Sequence, residues 1–357
     1  MPRAGTWSRA GQEEVRDALS EPFEAWSRTP APQRREVLAA ALADLAREPD
    51  PHGLIERALG LTQEELGERE APALKTCLDD LPTGSGGRSV IVRAHWSELL
   101  AGLARAVCHV LACGDRALVL SDRCLPVLAD RLAEALYDAG LPAGALAVLH
   151  DDGETVLRHA LASGNCARLD ASGPQSACER LEQLAAEPGG REAGLQPFGA
   201  GVLPRAATPC GFTALTRSVM YVGPDDEPVA AAREAAERSL GRVAALSGQA
   251  PGQVGQVRCH PRHFSAFTEA LLSALDGAEE PLFALDRETD RDRTRAREMG
   301  LDEGAALIWE GASSSPQRGR DARLDGLVFT NVESRMRIAD RTRPAPLLLL
   351  MRETDGE

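Results

Sequence analysis

Lysine is almost absent from this 357-residue chain: Lys75 stands alone, and the other strongly basic side chains are arginines. A Schiff-base or phosphate-loop lysine could therefore only be Lys75. Positive charge is also scarce overall, with 40 Lys+Arg against 54 Asp+Glu and a net charge of −14. That balance argues against nucleic acid or an anionic membrane as the main partner, since both require a basic footprint. The eight cysteines (77, 108, 113, 124, 166, 178, 210 and 259) form no CxxC pair and follow no regular spacing. Free thiols in a reducing compartment are the expectation, and no metal site is expected. Residues 1–17 are polar and charged, without the apolar core of a secretory leader. The apolar run at 347–351 falls far short of the roughly 20 residues that span a bilayer. The expectation is a cytoplasmic protein.

What is present suits a folded α/β chain. The length allows one or two domains that bury roughly three quarters of the unfolded surface. A 43% hydrophobic and 26% charged composition is ordinary for a globular protein. Residues 12–26 and 32–48 read as helices, the second with Leu38, Ala41, Leu42 and Leu45 on one face. A third helix is expected over 54–70, after Asp50-Pro51, and then a Gly/Ser-rich turn over 82–88. From there strands and helices alternate: strand 89–92, helix from Trp96 to Ala112, strand 117–120, helix 125–137, strand 145–149. Such alternation predicts a parallel sheet. After a helix over 175–186 and a Gly/Pro-rich stretch, a second α/β portion begins. It holds strand 218–222, helices 228–246 and 261–275, a charged helix near 287–299, and strands 305–309, 326–329 and 346–351. Segment 313–323 reads as a solvated loop. Two domains are expected, residues 1–210 and 211–357.

The order of elements and turn residues from His95 to Gly173 resembles the cofactor-binding half of the aldehyde dehydrogenase superfamily. Phe23-Glu24-Ala25-Trp26, Ser247-Gly248-Gln249 with His260-Pro261, and Thr330-Asn331-Val332 with 336–339 extend the likeness over most of residues 20–352. The resemblance implies a Rossmann-type cofactor-binding domain and an α/β catalytic-type domain. The second should be incomplete, because the chain stops soon after the late cofactor-contacting stretch.

The same resemblance implies that the chemistry is missing. Enzymes of that family need a cysteine nucleophile, amide donors for the oxyanion and a carboxylate base. Where the cysteine would follow Gly248-Gln249-Ala250 the chain has Pro251, without a thiol or an N–H. The oxyanion asparagine after Trp96 is replaced by Ser97, and the general-base position falls on Thr213. The ribose-binding positions fall on Leu120 and Arg123, and the later one on Thr342, with Pro344 nearby. The pyrophosphate turn reads Ala171-Ser172-Gly173-Pro174. Losing one member of such a set can cost about a million-fold in rate.

The implied reading is a catalytically inactive protein with a structural, regulatory or partner-binding role, for which no cofactor is expected. A homo-oligomer or protein partner should cover an exposed sheet edge or apolar patch. One alternative is an NAD(P)-dependent oxidoreductase acting on aldehydes through Cys259 or Cys210. Another is a non-redox binder that uses the cofactor crevice for a different small molecule. Cys259 reads more simply as a core thiol, and His260 with His263 lacks a third metal ligand. The glycines at 84–87 precede a strand, so no helix N-terminus points at an anion there. Gly199 and Gly201 read as a turn.

Overall fold

In the computed structural model the described residues are 12–79, 81–84, 86–150, 154–163, 165–186, 212–278, 281–282, 287–311, 325–340 and 345–353. They belong to two units: Met1–Arg57 with Thr62–Ala214, and Ala58–Leu61 with Leu215–Glu357. The expected segment 313–323, Cys210, Gly199, Gly201, Thr342 and Pro344 lie outside the described residues.

The chain begins with helices α1 (Gln12–Ser20), α2 (Glu24–Arg28), α3 (Ala31–Arg47), α4 (Leu54–Leu59) and α5 (Gln63–Thr76), all in the first unit except the last two residues of α4. Two expected helices are broken. The 12–26 helix stops short of Pro22, whose ring cannot continue it. The 54–70 helix is interrupted at Gly60, at φ +82°, and restarts where Thr62 and Glu65 form a capping box. Its second piece then runs to Thr76.

Next come β1 (Ser89–Arg93), α6 (Leu99–Ala112), β2 (Arg116–Ser121), α7 (Val127–Asp138) and β3 (Leu146–His150). They are followed by α8 (Thr155–Ala162), β4 (Arg168–Gly173), α9 (Gln175–Ala186) and β5 (Phe212–Ala214). The five strands are parallel in the order β3-β2-β1-β4-β5. Every residue of β2 is buried, as expected for a parallel sheet covered on both faces. Thr213, the expected general-base position, lies in β5, paired with Ser172.

The expected Gly-rich turn has a structural task. Gly86 adopts φ +66°, and a Cβ there would sit 2.3 Å from the Gly114 carbonyl oxygen. The buried Arg34 guanidinium ties this turn to the end of α6 by donating to the Gly84, Ala112 and Thr29 carbonyls. Buried Arg116 does the same for α1, donating to the carbonyls of Ala18, Leu19 and Glu21.

The second unit holds β6 (Ser218–Val222), α10 (Pro228–Leu240), β7 (Val254–Cys259), α11 (Phe264–Asp276), α12 (Arg287–Asp302), β8 (Ala306–Glu310), β9 (Leu327–Thr330) and β10 (Leu347–Arg352). The sheet order is β6-β7-β10-β9-β8, parallel except for β8, which runs antiparallel to β9. Strand β10 displays the two-residue period: Leu348 and Leu350 join the core with α10 and α11, while Leu347, Leu349 and Met351 face the other. Helix α10 stops at Leu240, six residues before the expected end. Gly241 turns away there, where a Cβ would meet the Glu237 carbonyl oxygen at 2.3 Å. Residues 260–263 form a turn, so α11 starts three residues later than expected. Among the described residues no helix is long and apolar enough to cross a membrane.

Candidate functional site

In open parallel sheets, ligands bind outside the carboxyl ends of the strands where the strand order reverses. In the first unit that point lies between β1 and β4. The chain leaving β1 runs through Ala94 and His95 into a 3₁₀ turn, Trp96–Glu98, which leads into α6 through Leu99 at φ +51°. The chain leaving β4 ends in Ser172-Gly173-Pro174 and enters α9.

Side chains close this crest upon themselves. Ser172 Oγ accepts from the His95 backbone N–H at 3.2 Å and donates to the Glu98 carboxylate. Ser97, at the expected oxyanion position, is buried, with its hydroxyl 2.8 Å from His95 Nδ1. The Ser97 N–H donates to the same ring nitrogen at 3.3 Å. Asp122 accepts from the Trp96 N–H at 3.2 Å and from the Cys124 N–H at 2.8 Å. Burial raises the Glu98 pKa above the ordinary carboxylate range, against the opposing effects of the Ser172 hydroxyl, the His95 backbone and Arg105. Next to it, a depression over the ends of β1 and β2 is lined by Ala94, His95, Leu120, Asp122 and Leu125. Leu120 is fully enclosed and offers no hydrogen bond to a ribose, and Arg123 is exposed to solvent.

Sequence reasoning missed His95, Glu98 and Asp122. It also missed a polar chain at the ends of β2 and β3. There Ser121 Oγ lies 2.8 Å from His150 Nδ1, and His150 Nε2 lies 3.3 Å from Asp130. Ser121 and His150 are register partners across the sheet. The serine is buried, and the nearby Trp96 and Cys124 N–H groups already serve Asp122. The Ser121–His150–Asp130 chain is a polar link across the two strands, with its serine buried.

In the second unit the expected nucleophile region is a tight loop. Leu246, Ser247 and Gly248 all have positive φ, at 49°, 52° and 88°. Gly248 is required, because a Cβ there would meet Pro346 Cα at 2.4 Å. The loop's amides turn inward. Gly248, Gln249 and Ala250 all donate to the Ala245 carbonyl at 2.9–3.0 Å, Ser247 donates to Gly241 O, and Gly252 donates to Thr216 O. Pro251 has no N–H. Every backbone donor from Ser247 to Gly252 thus has a partner within the fold, and the stretch has no thiol.

Cys259 lies at the end of β7, buried, with Sγ near the His260 carbonyl oxygen at 3.6 Å. Burial, with Glu353 adding to it, pushes its pKa up to about 11. His263 Nε2 lies 2.9 Å from the Pro224 carbonyl oxygen, and no metal-holding cluster occurs among the described residues. Thr213 is exposed on β5, where its carbonyl oxygen accepts from Cys178 Sγ at 3.7 Å.

No family-level sequence model matches the chain. The malonate-semialdehyde dehydrogenase 1 of Geobacillus thermodenitrificans (strain NG80-2) is 24% identical over 379 residues, covering 94% of this chain and 71% of that protein. An NAD-dependent benzaldehyde dehydrogenase from Corynebacterium glutamicum superposes with a TM-score of 0.76 at 18% identity, over 97% of this chain and 77% of its own. An aldehyde dehydrogenase from Bacillus cereus, solved as its NAD+ complex, gives 0.76 at 13% identity, over 98% and 73%. These neighbours correct the expectation that no cofactor is used, since proteins of this fold include an NAD-dependent enzyme and one solved as an NAD+ complex.

The residues at the crest fit such a dinucleotide in topology but not in charge. Ser172, on the turn that would face a pyrophosphate, already donates to a carboxylate, so the arrangement seen does not fit the phosphates.

Proposed function

Taking as its premise that the chain has the aldehyde dehydrogenase superfamily fold, we propose a catalytically inactive member that does not oxidise aldehydes through a thiol. Its role is structural, regulatory or partner-binding. One observation carries this reading: between Ser247 and Gly252 no thiol is present and no backbone N–H is left to stabilise an oxyanion. The buried Cys259, with its high pKa, supports it further, because the thiolate is the nucleophile.

The ligand class belonging to this reading is an NAD(P)-type dinucleotide, taken from the neighbours of the same fold. No chemical step is assigned to it, because the crest as arranged opposes its phosphates. The reading includes cytoplasmic residence, on the irregular spacing of the eight cysteines. It also includes a protein partner or a second copy of the chain. Edge strand β6 supports this, since Val219 and Tyr221 are exposed there at 43% and 61%.

The test is a calorimetric titration with NAD and NADP, followed by an assay of an aldehyde panel for reduced cofactor. The expected result is no aldehyde-dependent turnover, whether or not either cofactor binds. Aldehyde-dependent cofactor reduction that disappears in Cys259→Ser would refute the inactive reading.

A further inference from the structure

Two edges bound the second sheet, and they are built differently. Strand β8 carries a register irregularity between Leu307 and Trp309 and ends at Glu310, which pairs with Arg293 and Arg297. Bulges and charges of this kind discourage another strand from joining. Strand β6 has neither a charge nor a proline from Ser218 to Val222. The residue left over in its pairing with β7 is Gly255, on β7, so the free edge runs regularly from Val219 to Val222.

The backbone of this edge has a fixed phase. The Ser218 N–H donates to the Gln253 carbonyl at 2.7 Å, and the Val222 carbonyl accepts from the His260 N–H at 2.8 Å. Residues 218, 220 and 222 therefore turn their backbone groups toward β7, and Val219 and Tyr221 turn theirs outward. The side chains of Val219 and Tyr221 lie on the sheet face that also holds Leu349 and Met351, and both are exposed. The Tyr221 ring is nonetheless positioned, with the Arg258 guanidinium 5.9 Å from its centroid.

Resting on the partner-binding part of the reading above, we propose that β6 pairs antiparallel with β6 of a second copy of this chain, across a twofold axis at Met220. That axis sets Val219 opposite the partner's Tyr221, and Tyr221 opposite the partner's Val219. All four are outward-turned residues, so each pair exchanges two N–H···O bonds, and Met220 faces itself in a non-hydrogen-bonded position. On the exposed face the same register makes two aromatic–β-branched cross-strand pairs. Charge agrees with the antiparallel direction. Arg217 precedes the strand and Asp225, Asp226 and Glu227 follow it, so the basic end of one copy meets the acidic end of the other. The patch is its own complement, as a twofold contact requires. One strand pair falls short of the roughly 800 Å² per partner of a stable interface, so the dimer dissociates on dilution.

The experiment is sedimentation velocity of the full chain over a concentration series, together with disulfide trapping by diamide. The wild type should show a concentration-dependent dimer. Tyr221→Glu should raise its dissociation constant at least about tenfold, because each dimer loses two cross-strand pairs. Adding Val219→Lys to that variant should restore dimerisation, since opposite charges then face each other in both pairs. Met220→Cys should give an intermolecular disulfide. Ser218→Cys should not, because its two copies lie roughly 14 Å apart along the strands. A dimer undiminished in Tyr221→Glu, or no trapping of Met220→Cys, overturns the β6 pairing and leaves a second copy as partner standing. A wild type that is monomeric at every concentration overturns both, and the aldehyde assay still tests the catalytic reading. If Tyr221→Glu does not fold, trapping of Met220→Cys against Ser218→Cys decides.

Discussion

Replacing Glu70 by glutamine should make this protein more stable at alkaline pH while changing it little at acid pH. Glu70 lies on α5, is 2% exposed, and accepts from the Ala101 backbone N–H at 2.7 Å, on the first turn of α6. Burial outweighs that hydrogen bond and the nearby Arg69, and raises the carboxyl pKa to about 7. An unfolded chain would release the same proton near the ordinary carboxylate value of about 4.3. Between those two values the native state holds a proton that the unfolded state has lost, so stability falls as pH rises. Across the whole window, a shift of this size corresponds to roughly 3 kcal/mol. Glutamine keeps an oxygen to accept from Ala101 and cannot ionise. The stability difference between variant and wild type should therefore grow by roughly 3 kcal/mol from pH 5 to pH 8. Urea unfolding of both proteins across that range, followed by circular dichroism, measures it. Parallel stability curves for the two proteins would refute the argument.

Three further outcomes follow from the same structure. Installing a thiol with Pro251→Cys should not produce aldehyde oxidation, because the neighbouring amides at 248–250 remain bonded to Ala245; aldehyde-dependent reduction of NAD or NADP, followed by absorbance, would contradict this. Cys259, with a pKa of about 11, should be thiolate in roughly one molecule in ten thousand at neutral pH. Alkylation followed by peptide mass mapping should find it inert until the protein unfolds. Gly86→Ala should cost about 2–4 kcal/mol, combining left-handed strain with a methyl group driven into the Gly114 carbonyl, measurable as a lowered urea midpoint.

Much of the fold could be read from local pattern. Apolar runs such as 117–120 and 347–351 are strands buried on both faces, and they predict a parallel sheet without knowledge of partners. The errors cluster where a single residue ends an element, at Pro22, Gly60 and Gly241, or where a pairing is non-local. Strand β5 is three residues long and owes its strand character to β4, and the antiparallel direction of β8 depends on β9. The candidate site was legible only as a set of losses. A substitution such as Pro251 declares itself in sequence, because proline lacks a donor whatever surrounds it. Glu98 does not, since nothing local distinguishes a solvated glutamate from one seated over Gly102 and held by Ser172, 74 residues away.

The described sites of the two units share one physical feature. Polar groups at the positions singled out by the sequence are satisfied within the protein. In the second unit the Ala245 carbonyl gathers three amides of the loop before Pro251. In the first, Asp122 gathers the Trp96 and Cys124 amides, and Glu98 takes the Ser172 hydroxyl. A buried donor left without a partner costs roughly 1–3 kcal/mol, so closing such gaps stabilises the fold. The two closures nevertheless differ in kind. Bonds from amide to carbonyl are indifferent to pH, whereas the Glu98 closure rests on an ionisable group.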